Sequence, residues 1–122
     1  MKHPNAKRVL IVEDDPGALE VLKSWVEAQG YEARTARSGQ IAMQLITTFE
    51  PDVLLTDYLL QDELTGVDLI TQLRSRGVKM RCVLLTGVLQ NALLESVHRL
   101  DRVPILTKPF DFGRLRELIA TS

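Results

Sequence analysis

Five short apolar segments recur along the chain, and each is followed by a stretch in which apolar residues have helical spacing. The segments are Val9–Val12, Glu32–Ala36, Val53–Thr56, Cys82–Leu85 and Ile105–Leu106. Strands that alternate with helices in this way are typical of βα units and of a parallel sheet. The pattern therefore predicts five strands joined by right-handed crossovers, in an open α/β/α sandwich of three layers.

The second apolar segment differs from the other four. From Tyr31 to Ala36 polar and apolar residues alternate, whereas the other segments are apolar throughout. Continuous apolar runs are expected of strands covered on both faces, and alternation is expected of a half-exposed strand. We therefore expect the second strand at the edge of the sheet.

Capping residues and helix breakers define the expected ends of the first two helices. Asp15 and Ser38 are suitable N-caps, because their side-chain oxygens can accept hydrogen bonds from the first turn. Gly30 and Pro51 follow the last apolar turn of each helix and are expected to end it.

The other three helices are marked less strongly. Thr65 and Asp68 form an imperfect capping box at the start of the third helix, with Asp where Glu or Gln is usual. Gly77 is expected to end this helix. The apolar spacing predicts a fourth helix over Asn91–Leu100 and a fifth over Phe112–Ala120.

Composition limits the classes of function. The 122 residues, 45% of them hydrophobic, suffice for one core, so we predict a single domain over residues 1–122. A net charge of -1 provides no basic surface for nucleic acid. No apolar stretch has the length of a membrane span, and the first seven residues lack the apolar segment of a secretory signal. We expect a cytoplasmic protein that binds neither nucleic acid nor membrane directly.

The cysteine and histidines offer no metal site. Cys82 is the only cysteine and lies in an apolar run, so it is expected to be a small buried side chain without a disulfide. His3 and His98 have no partners placed to complete a metal site with them, and we expect both to be exposed.

Chemically active side chains follow four of the predicted strands. Ligands of an open parallel sheet bind beyond the carboxyl ends of its strands, so these residues are expected to converge on one edge. They are Glu13, Asp14 and Asp15 after the first strand, Asp57 after the third, Thr86 after the fourth and Lys108 after the fifth.

Such a group of carboxylates requires a cation. Two carboxylates about 4 Å apart repel by about 4 kcal/mol at an effective dielectric constant of ~20. Oxygen donors without neighbouring His or Cys favour Mg²⁺, with Mn²⁺ as a substitute. Asp15 is also explained as a helix cap without any metal. No glycine-rich loop follows the first strand, which argues against nucleotide or flavin binding there.

Four segments, in order, resemble the receiver domains of two-component response regulators. They are Val9–Asp15, Pro51–Asp57, Val83–Gly87 and Thr107–Phe110. The resemblance extends over nearly the whole chain. It implies a flavodoxin-like (βα)5 fold whose parallel sheet has the strand order 2-1-3-4-5.

The resemblance also implies a phosphoryl-transfer chemistry. Asp57 would be the phospho-acceptor, attacking a phosphohistidine of a sensor histidine kinase or phosphotransfer protein. Mg²⁺ would bind Asp14, Asp57 and the backbone carbonyl of Leu59, and Glu13 would reach it through a water molecule.

Two more side chains and one peptide bond receive roles from the same resemblance. Lys108 would pair with Asp57 and then with a phosphoryl oxygen, and Thr86 would donate its hydroxyl to another. The Lys108–Pro109 bond would be cis.

Three features depart from the usual receiver pattern. Ile105 replaces the Tyr or Phe that usually takes part in the switch, so the coupling is expected to run through Gly87–Gln90 instead. Residues 58–66 lack the usual proline and are one residue longer, as in receivers fused to hybrid kinases. Leu59 and Val88 are apolar at positions that influence access of water to the phosphoryl group, which predicts slow hydrolysis.

The leading interpretation is a switch that signals through protein contacts, with self-catalysed phosphorylation and slow autodephosphorylation but no classical enzymatic activity. Its partners would be the kinase and a downstream protein or a covalently linked output domain, and it would be a monomer or weak dimer. The resemblance places the partner surface on the fourth helix, fifth strand and fifth helix, with Arg99, Arg102 and Arg114 as candidate contacts.

Two other functions compete with this interpretation. A phosphorylation-independent pseudo-receiver, acting as a binding or dimerisation module, is favoured by Ile105 and by the altered segment 58–66. A metal-dependent phosphatase would need a second acidic cluster or a substrate cap, and the sequence suggests neither.

Overall fold

The protein is built around a parallel sheet of five strands in the order β2-β1-β3-β4-β5. The computed structural model describes residues 6–60, 62–87, 91–109 and 111–120. The strands are β1 (Arg8–Val12), β2 (Glu32–Ala36), β3 (Val53–Asp57), β4 (Arg81–Thr86) and β5 (Ile105–Thr107). The parallel sheet, the strand order and the outer position of β2 are confirmed.

Helices cover both faces of the sheet and complete the three layers. They are α1 (Pro16–Ala28), α2 (Gly39–Phe49), α3 (Gly66–Ser75), α4 (Asn91–His98) and α5 (Phe112–Ala120). Apolar side chains of α2, α3 and α4 pack on one face, and those of α1 and α5 pack on the other. The predicted flavodoxin-like α/β/α fold is confirmed.

The apolar runs of the central strands follow from burial on both faces. In β1, Leu10 belongs to the core under α2, α3 and α4, while Ile11 belongs to the core under α1 and α5. In the edge strand β2, Ala33 is buried and Arg34 is exposed. Ala36 is buried on the same face as Arg34, in the core under α2, α3 and α4, so both faces of β2 are covered in part. The polar residues of β2 therefore reflect its position at the edge of the sheet rather than one bare face.

The third helix begins with a complete capping box, although Asp replaces the usual Glu or Gln. The Asp68 backbone N–H donates to Thr65 Oγ1 at 3.1 Å, and the Thr65 backbone N–H donates to Asp68 Oδ2 at 3.0 Å. Each residue thus satisfies a backbone donor of the other.

The predicted end of the fourth helix is wrong by two residues, because α4 ends at His98 rather than at Leu100. The Leu100 N–H donates to the Val97 carbonyl at 2.8 Å, and Arg102 has a left-handed φ of 57°. The chain therefore tightens into a turn before β5, and this turn takes the last predicted residues out of the helix.

Several smaller expectations have clear outcomes. Cys82 is buried and His98 is exposed, as predicted. None of the helices in the described ranges combines the length and apolar composition that a membrane span requires. His3, Val88 and most of the predicted coupling loop Gly87–Gln90 lie outside the described residues, as does Phe110.

Candidate functional site

Three carboxylates meet at the edge of the sheet formed by the carboxyl ends of the strands, which we term the carboxyl edge. Asp57 is the last residue of β3, and Glu13 and Asp14 directly follow β1, its hydrogen-bonded neighbour. One oxygen from each of the three lies within 4.8 Å of the others. We call these residues the acidic cluster. The edge lies where the strand order reverses between β1 and β3, the usual ligand position of this architecture.

Lys108 extends from the end of β5 to two members of the acidic cluster. Its Nζ lies 3.3 Å from Glu13 Oε1 and 3.4 Å from Asp57 Oδ2. The Lys108 backbone N–H donates to the Thr86 carbonyl at 2.8 Å, so pairing of β4 with β5 continues up to the lysine. The Lys108–Pro109 peptide bond is cis.

Burial makes the charge of Glu13 costly. The residue is 2% exposed. Burial first, and then the hydrogen bond and negative charge of Asp57, raise the pKa of Glu13 from 4.5 to about 7, although Lys108 acts in the opposite direction. Three carboxylates share one ammonium group here, so a cation with oxygen ligands would relieve their repulsion. The donor set fits Mg²⁺.

The carboxylate of Asp57 is held in a defined orientation. Its Oδ1 accepts a hydrogen bond from the Tyr58 backbone N–H at 3.0 Å, while Oδ2 faces Lys108. The Asp57 side chain is 13% exposed, so it is largely buried yet still reachable from solvent.

Thr86 is the last residue of β4 and is 4% exposed. Asp57 pairs with Leu85 in the sheet, and Thr86 comes next along the chain. The sheet register therefore brings Thr86 to the same edge as the acidic cluster.

Asp15 has a different role from its two acidic neighbours. Its Oδ2 accepts a hydrogen bond from the Ala18 N–H at 2.8 Å, which makes it the N-cap of α1. It is exposed and lies outside the acidic cluster. The capping interpretation of Asp15 accounts for its contacts.

The segment after Asp57 folds back on itself. Leu59 pairs with Thr65 in an antiparallel bridge, and the Gly66 N–H donates to the Tyr58 carbonyl at 2.7 Å. A Cβ atom on Gly66 would overlap the Asp57 carbonyl oxygen. Only glycine fits this close approach between the start of α3 and the end of β3.

Sequence reasoning missed the importance of two residues in this segment. The close approach of Gly66 to Asp57 leaves no pattern in a single sequence. The carboxylate of Asp62 accepts hydrogen bonds from backbone N–H groups of α2. An acidic residue in a polar loop is too common to identify such a contact.

Ile105 lies away from the acidic cluster, at the start of β5. It is half-buried against the core beneath α2, α3 and α4. It also lines a cavity of about 760 Å³ between α4, β5 and α5, together with Leu94, Arg102 and Arg114 among others.

A family model described as the response regulator receiver domain matches residues 9–120 of the chain. The chain belongs to the response regulator receiver domain family. Receiver domains are signalling modules of two-component systems rather than classical enzymes. The match covers every strand and helix except the first residue of β1.

Curated relatives agree with this assignment. The response regulator protein PilR of Pseudomonas aeruginosa is 33% identical over 118 residues, which cover 95% of this chain and 26% of that protein. The regulator of RpoS of Escherichia coli is 30% identical over 114 residues, covering 93% of this chain and 34% of that protein. The chain thus spans about a quarter to a third of these relatives.

A solved structure shows the same fold. The response regulator receiver protein of Pseudomonas putida superposes with a TM-score of 0.86 at 25% identity, and the match covers 98% of this chain and 100% of that one. Receiver domains bind Mg²⁺ in an acidic pocket, and this receiver has an acidic cluster at the carboxyl edge of its sheet.

Proposed function

We propose that this receiver is a phosphorylation switch that accepts a phosphoryl group on Asp57 in a Mg²⁺-dependent reaction. The donor is a phosphohistidine of a sensor histidine kinase or phosphotransfer protein. The observation that carries the proposal is the placement of Asp57 between two further carboxylates and the Lys108 ammonium, 3.4 Å from its Oδ2.

The metal ligands are assigned from the resemblance to receiver domains. Asp14, Asp57 and the backbone carbonyl of Leu59 would hold Mg²⁺ or Mn²⁺, and Glu13 would bind through a water molecule. When bound, the cation supplies charge neutralisation for the carboxylates and for the transferred phosphoryl oxygens. The excess of negative charge at the acidic cluster supports this assignment.

The protein's own residues supply positioning and charge. A carboxylate oxygen of Asp57 attacks phosphorus in line as the phosphorus–nitrogen bond of the donor breaks, and the electron pair stays on the imidazole nitrogen. Tyr58 restricts the rotation of the carboxylate through its N–H. Lys108 then moves its charge from the carboxylate to a phosphoryl oxygen, and the Thr86 hydroxyl donates to another.

Phosphorylation changes the local charge and thereby the conformational equilibrium. The phosphoryl group adds about 1.5 to 2 negative charges and three acceptor oxygens. These attract Thr86, the last residue of β4, and Lys108, which directly follows the adjacent strand β5. We propose that the populations of α4 and of the preceding loop respond, without a change of fold.

The downstream partner binds to the face formed by α4, β5 and α5. Ile105 lines the cavity on this face and has no aromatic ring to swing inward. Arg99, Arg102 and Arg114 are the candidate contacts for a downstream protein or a linked output domain. Arg102 and Arg114 lie at this cavity, which supports their assignment.

Intact mass after incubation with acetyl phosphate and Mg²⁺ tests the function. The wild-type receiver is expected to gain one phosphoryl group, and Asp57→Asn or removal of Mg²⁺ with EDTA is expected to prevent the gain. Asp101→Asn is the matched control, because Asp101 is an exposed aspartate beyond the end of α4 that forms an ion pair with Arg102 at 3.7 Å.

The opposite result would change the assignment. If the wild type gains no mass while another receiver is labelled in parallel, the chain is a phosphorylation-independent binding or dimerisation module. The lifetime of the phospho-form gives a second measurement, because apolar Leu59 and Val88 predict slow hydrolysis. A Leu59→Asn, Val88→Glu double variant should lose its phosphoryl group faster, and an equal lifetime would refute the role of these two residues.

A further inference from the structure

The loop between β3 and α3 is attached at its tip to a helix that is distant in sequence. Asp62 Oδ1 accepts a hydrogen bond from the Gly39 N–H at 3.3 Å, and Oδ2 accepts one from the Gln40 N–H at 3.0 Å. Gly39 and Gln40 are the first two residues of α2. The carboxylate therefore bridges the loop that follows Asp57 and the start of α2.

A second contact supports the same attachment. Gly39 is buried, and a Cβ atom placed on it would lie 2.9 Å from Leu64 Cδ1. The start of α2 thus receives both the carboxylate of Asp62 and the apolar side chain of Leu64, two residues further along the loop. The loop tip is held by a polar and an apolar contact to the same turn of helix.

The base of this loop is attached to the acidic cluster. The Gly66 N–H donates to the Tyr58 carbonyl, and Leu59 pairs with Thr65, so the side of the loop that enters α3 is joined to the two residues that follow Asp57. Leu59, whose backbone carbonyl we assign to Mg²⁺, belongs to this base and precedes the tip at Asp62 by three residues. Its side chain is 65% exposed, so side-chain packing contributes little to holding it.

The Asp62 contact is of a kind that orders a loop effectively. Hydrogen bonds to an ionised carboxylate are stronger than those between neutral groups, and a negative charge is favourable at the N-terminus of a helix. Removal of the carboxylate would leave two N–H groups of α2 without this acceptor. The packing of the Leu64 side chain against Gly39 would remain to attach the loop tip to α2.

We propose that Asp62 is a positioning residue for the metal and phosphoryl site. By fixing the β3–α3 loop on α2, its carboxylate holds the backbone at Leu59 in the orientation that presents the carbonyl to the cation. This inference rests on the proposed function, because it assumes that Mg²⁺ binds at the acidic cluster. Asp62, which lies outside the acidic cluster, would thereby contribute to the affinity for Mg²⁺.

The structure offers a matched control on the same helix. Ser38 Oγ accepts a hydrogen bond from the Ile41 N–H at 3.2 Å and is the N-cap of α2. Ser38→Ala therefore weakens the start of α2 without removing the Asp62 bridge to the loop. Asp62→Ala weakens the same helix start and also releases the loop.

The test is calorimetric titration of the unphosphorylated wild type, Asp62→Ala, Asp62→Asn and Ser38→Ala with MgCl2, alongside urea denaturation without metal. Both alanine variants should unfold more easily. Only Asp62→Ala should bind Mg²⁺ more weakly, with a Kd raised about 10-fold, as when outer-shell partners of a metal site are removed. Asp62→Asn retains one acceptor oxygen and should be intermediate in both measurements.

Each result separates the two proposals. If the wild type binds Mg²⁺ and Asp62→Ala binds it equally well, Asp62 is a helix cap only and the inference is wrong. If Ser38→Ala weakens Mg²⁺ binding as much as Asp62→Ala does, the effect comes from α2 stability and the inference is again wrong. If the wild type binds no Mg²⁺, the proposed metal site itself fails, and the role of Asp62 fails with it. If Asp62→Ala does not fold, unchanged affinity in Asp62→Asn overturns the inference.

Discussion

The two edges of the sheet differ in how their charged side chains are arranged. At the amino edge, where the strands begin, Glu32 lies between two arginines: its Oε2 is 3.6 Å from Arg8 Nε, and its Oε1 is 3.9 Å from Arg34 Nη2. At the carboxyl edge, the three carboxylates of the acidic cluster lie together, and the Lys108 ammonium pairs with two of them, Glu13 and Asp57.

The charges at the amino edge form ion pairs that stabilise the fold, whereas those at the carboxyl edge are the ones that we assign to the proposed metal and phosphoryl site. The amino-edge charges alternate in sign and are partly exposed, so ion pairing and solvent both act to offset repulsion between the two arginines. At the carboxyl edge Glu13 is buried beside Asp57, which raises its pKa to about 7. A like-charge arrangement of this kind weakens the metal-free fold, and a bound cation would reverse that effect. The excess of negative charge at the carboxyl edge therefore supports the proposal that the phosphoryl and metal site lies there.

The largest expected change in the free energy of unfolding comes from a substitution at the carboxyl edge, where the backbone at the start of α3 lies against the end of β3. Gly66→Ala would place a Cβ atom against the Asp57 carbonyl oxygen and against Leu84 Cδ1. We expect a loss of about 3 kcal/mol in the free energy of unfolding, because a backbone atom cannot move aside without displacing β3. Urea denaturation measures the loss.

The control for this substitution is Gly17→Ala in α1. A Cβ atom there would meet Asp15 Oδ2 at 3.5 Å, an ordinary contact. Alanine should raise the free energy of unfolding by about 0.5 to 1 kcal/mol, because it restricts the unfolded chain. Equal stability of the two alanine variants would show that the close approach at Gly66 is absent.

The next effect concerns the buried charge of Glu13. Its pKa is raised in the folded protein, from 4.5 to about 7, so its contribution to stability is fully present below pH 4.5 and is lost as the pH rises through 7. Without metal, the free energy of unfolding of the wild type should fall by roughly 2 to 3 kcal/mol across this range from Glu13 alone.

Glu13→Gln should remove this decrease, because the amide does not titrate. Above pH 7, in EDTA, the variant should be more stable than the wild type, and the difference should disappear towards pH 4.5. Urea denaturation at several pH values gives both curves. Parallel curves for the two proteins would mean that Glu13 carries no buried charge.

Addition of Mg²⁺ should reverse the imbalance at the carboxyl edge. A ligand at ten times its Kd stabilises the folded state by about 1.4 kcal/mol, which appears as a higher Tm. The wild type and Asp101→Asn should show the increase, whereas Asp14→Asn should lose most of it. A similar increase in Asp14→Asn would show that Mg²⁺ binds outside the acidic cluster.

The smallest effect is expected at the amino edge. Glu32→Gln removes the carboxylate between Arg8 and Arg34 and should lower the free energy of unfolding by at most about 1 kcal/mol, as for partly exposed ion pairs. The loss should be similar at pH 6 and pH 8 and unaffected by Mg²⁺. A response to Mg²⁺ would contradict the separation of the two edges.

The segments and layers could be predicted because burial leaves a direct pattern in the sequence. Strands covered on both faces are predominantly apolar, as in Val53–Leu55, whereas an edge strand carries polar residues, as in Glu32–Ala36. The full strand order, however, came from the resemblance to receiver domains. The last turn of α4 was misjudged, because the left-handed Arg102 and the turn into β5 decide where that helix ends.

For the candidate site, too, some features could be predicted from the sequence and others depend on the tertiary structure. Glu13, Asp14, Asp57 and Lys108 could be selected from sequence, because each directly follows a strand and the ends of parallel strands share one edge. That rule concerns position in the chain and is independent of the conformation of the loops. The raised pKa of Glu13 depends on its burial and on Asp57, which the strand ends alone do not specify.

By itself the sequence determined the elements, the layers and the identity of the residues brought to the carboxyl edge, because periodicity and strand ends are local properties. Only the tertiary structure decided that Gly66 must approach Asp57 without a side chain, and that Asp62 must bridge to Gly39 across 23 residues. Such contacts join segments whose separation in the chain carries no pattern. They exist because the packing of helices on the sheet brings those segments together.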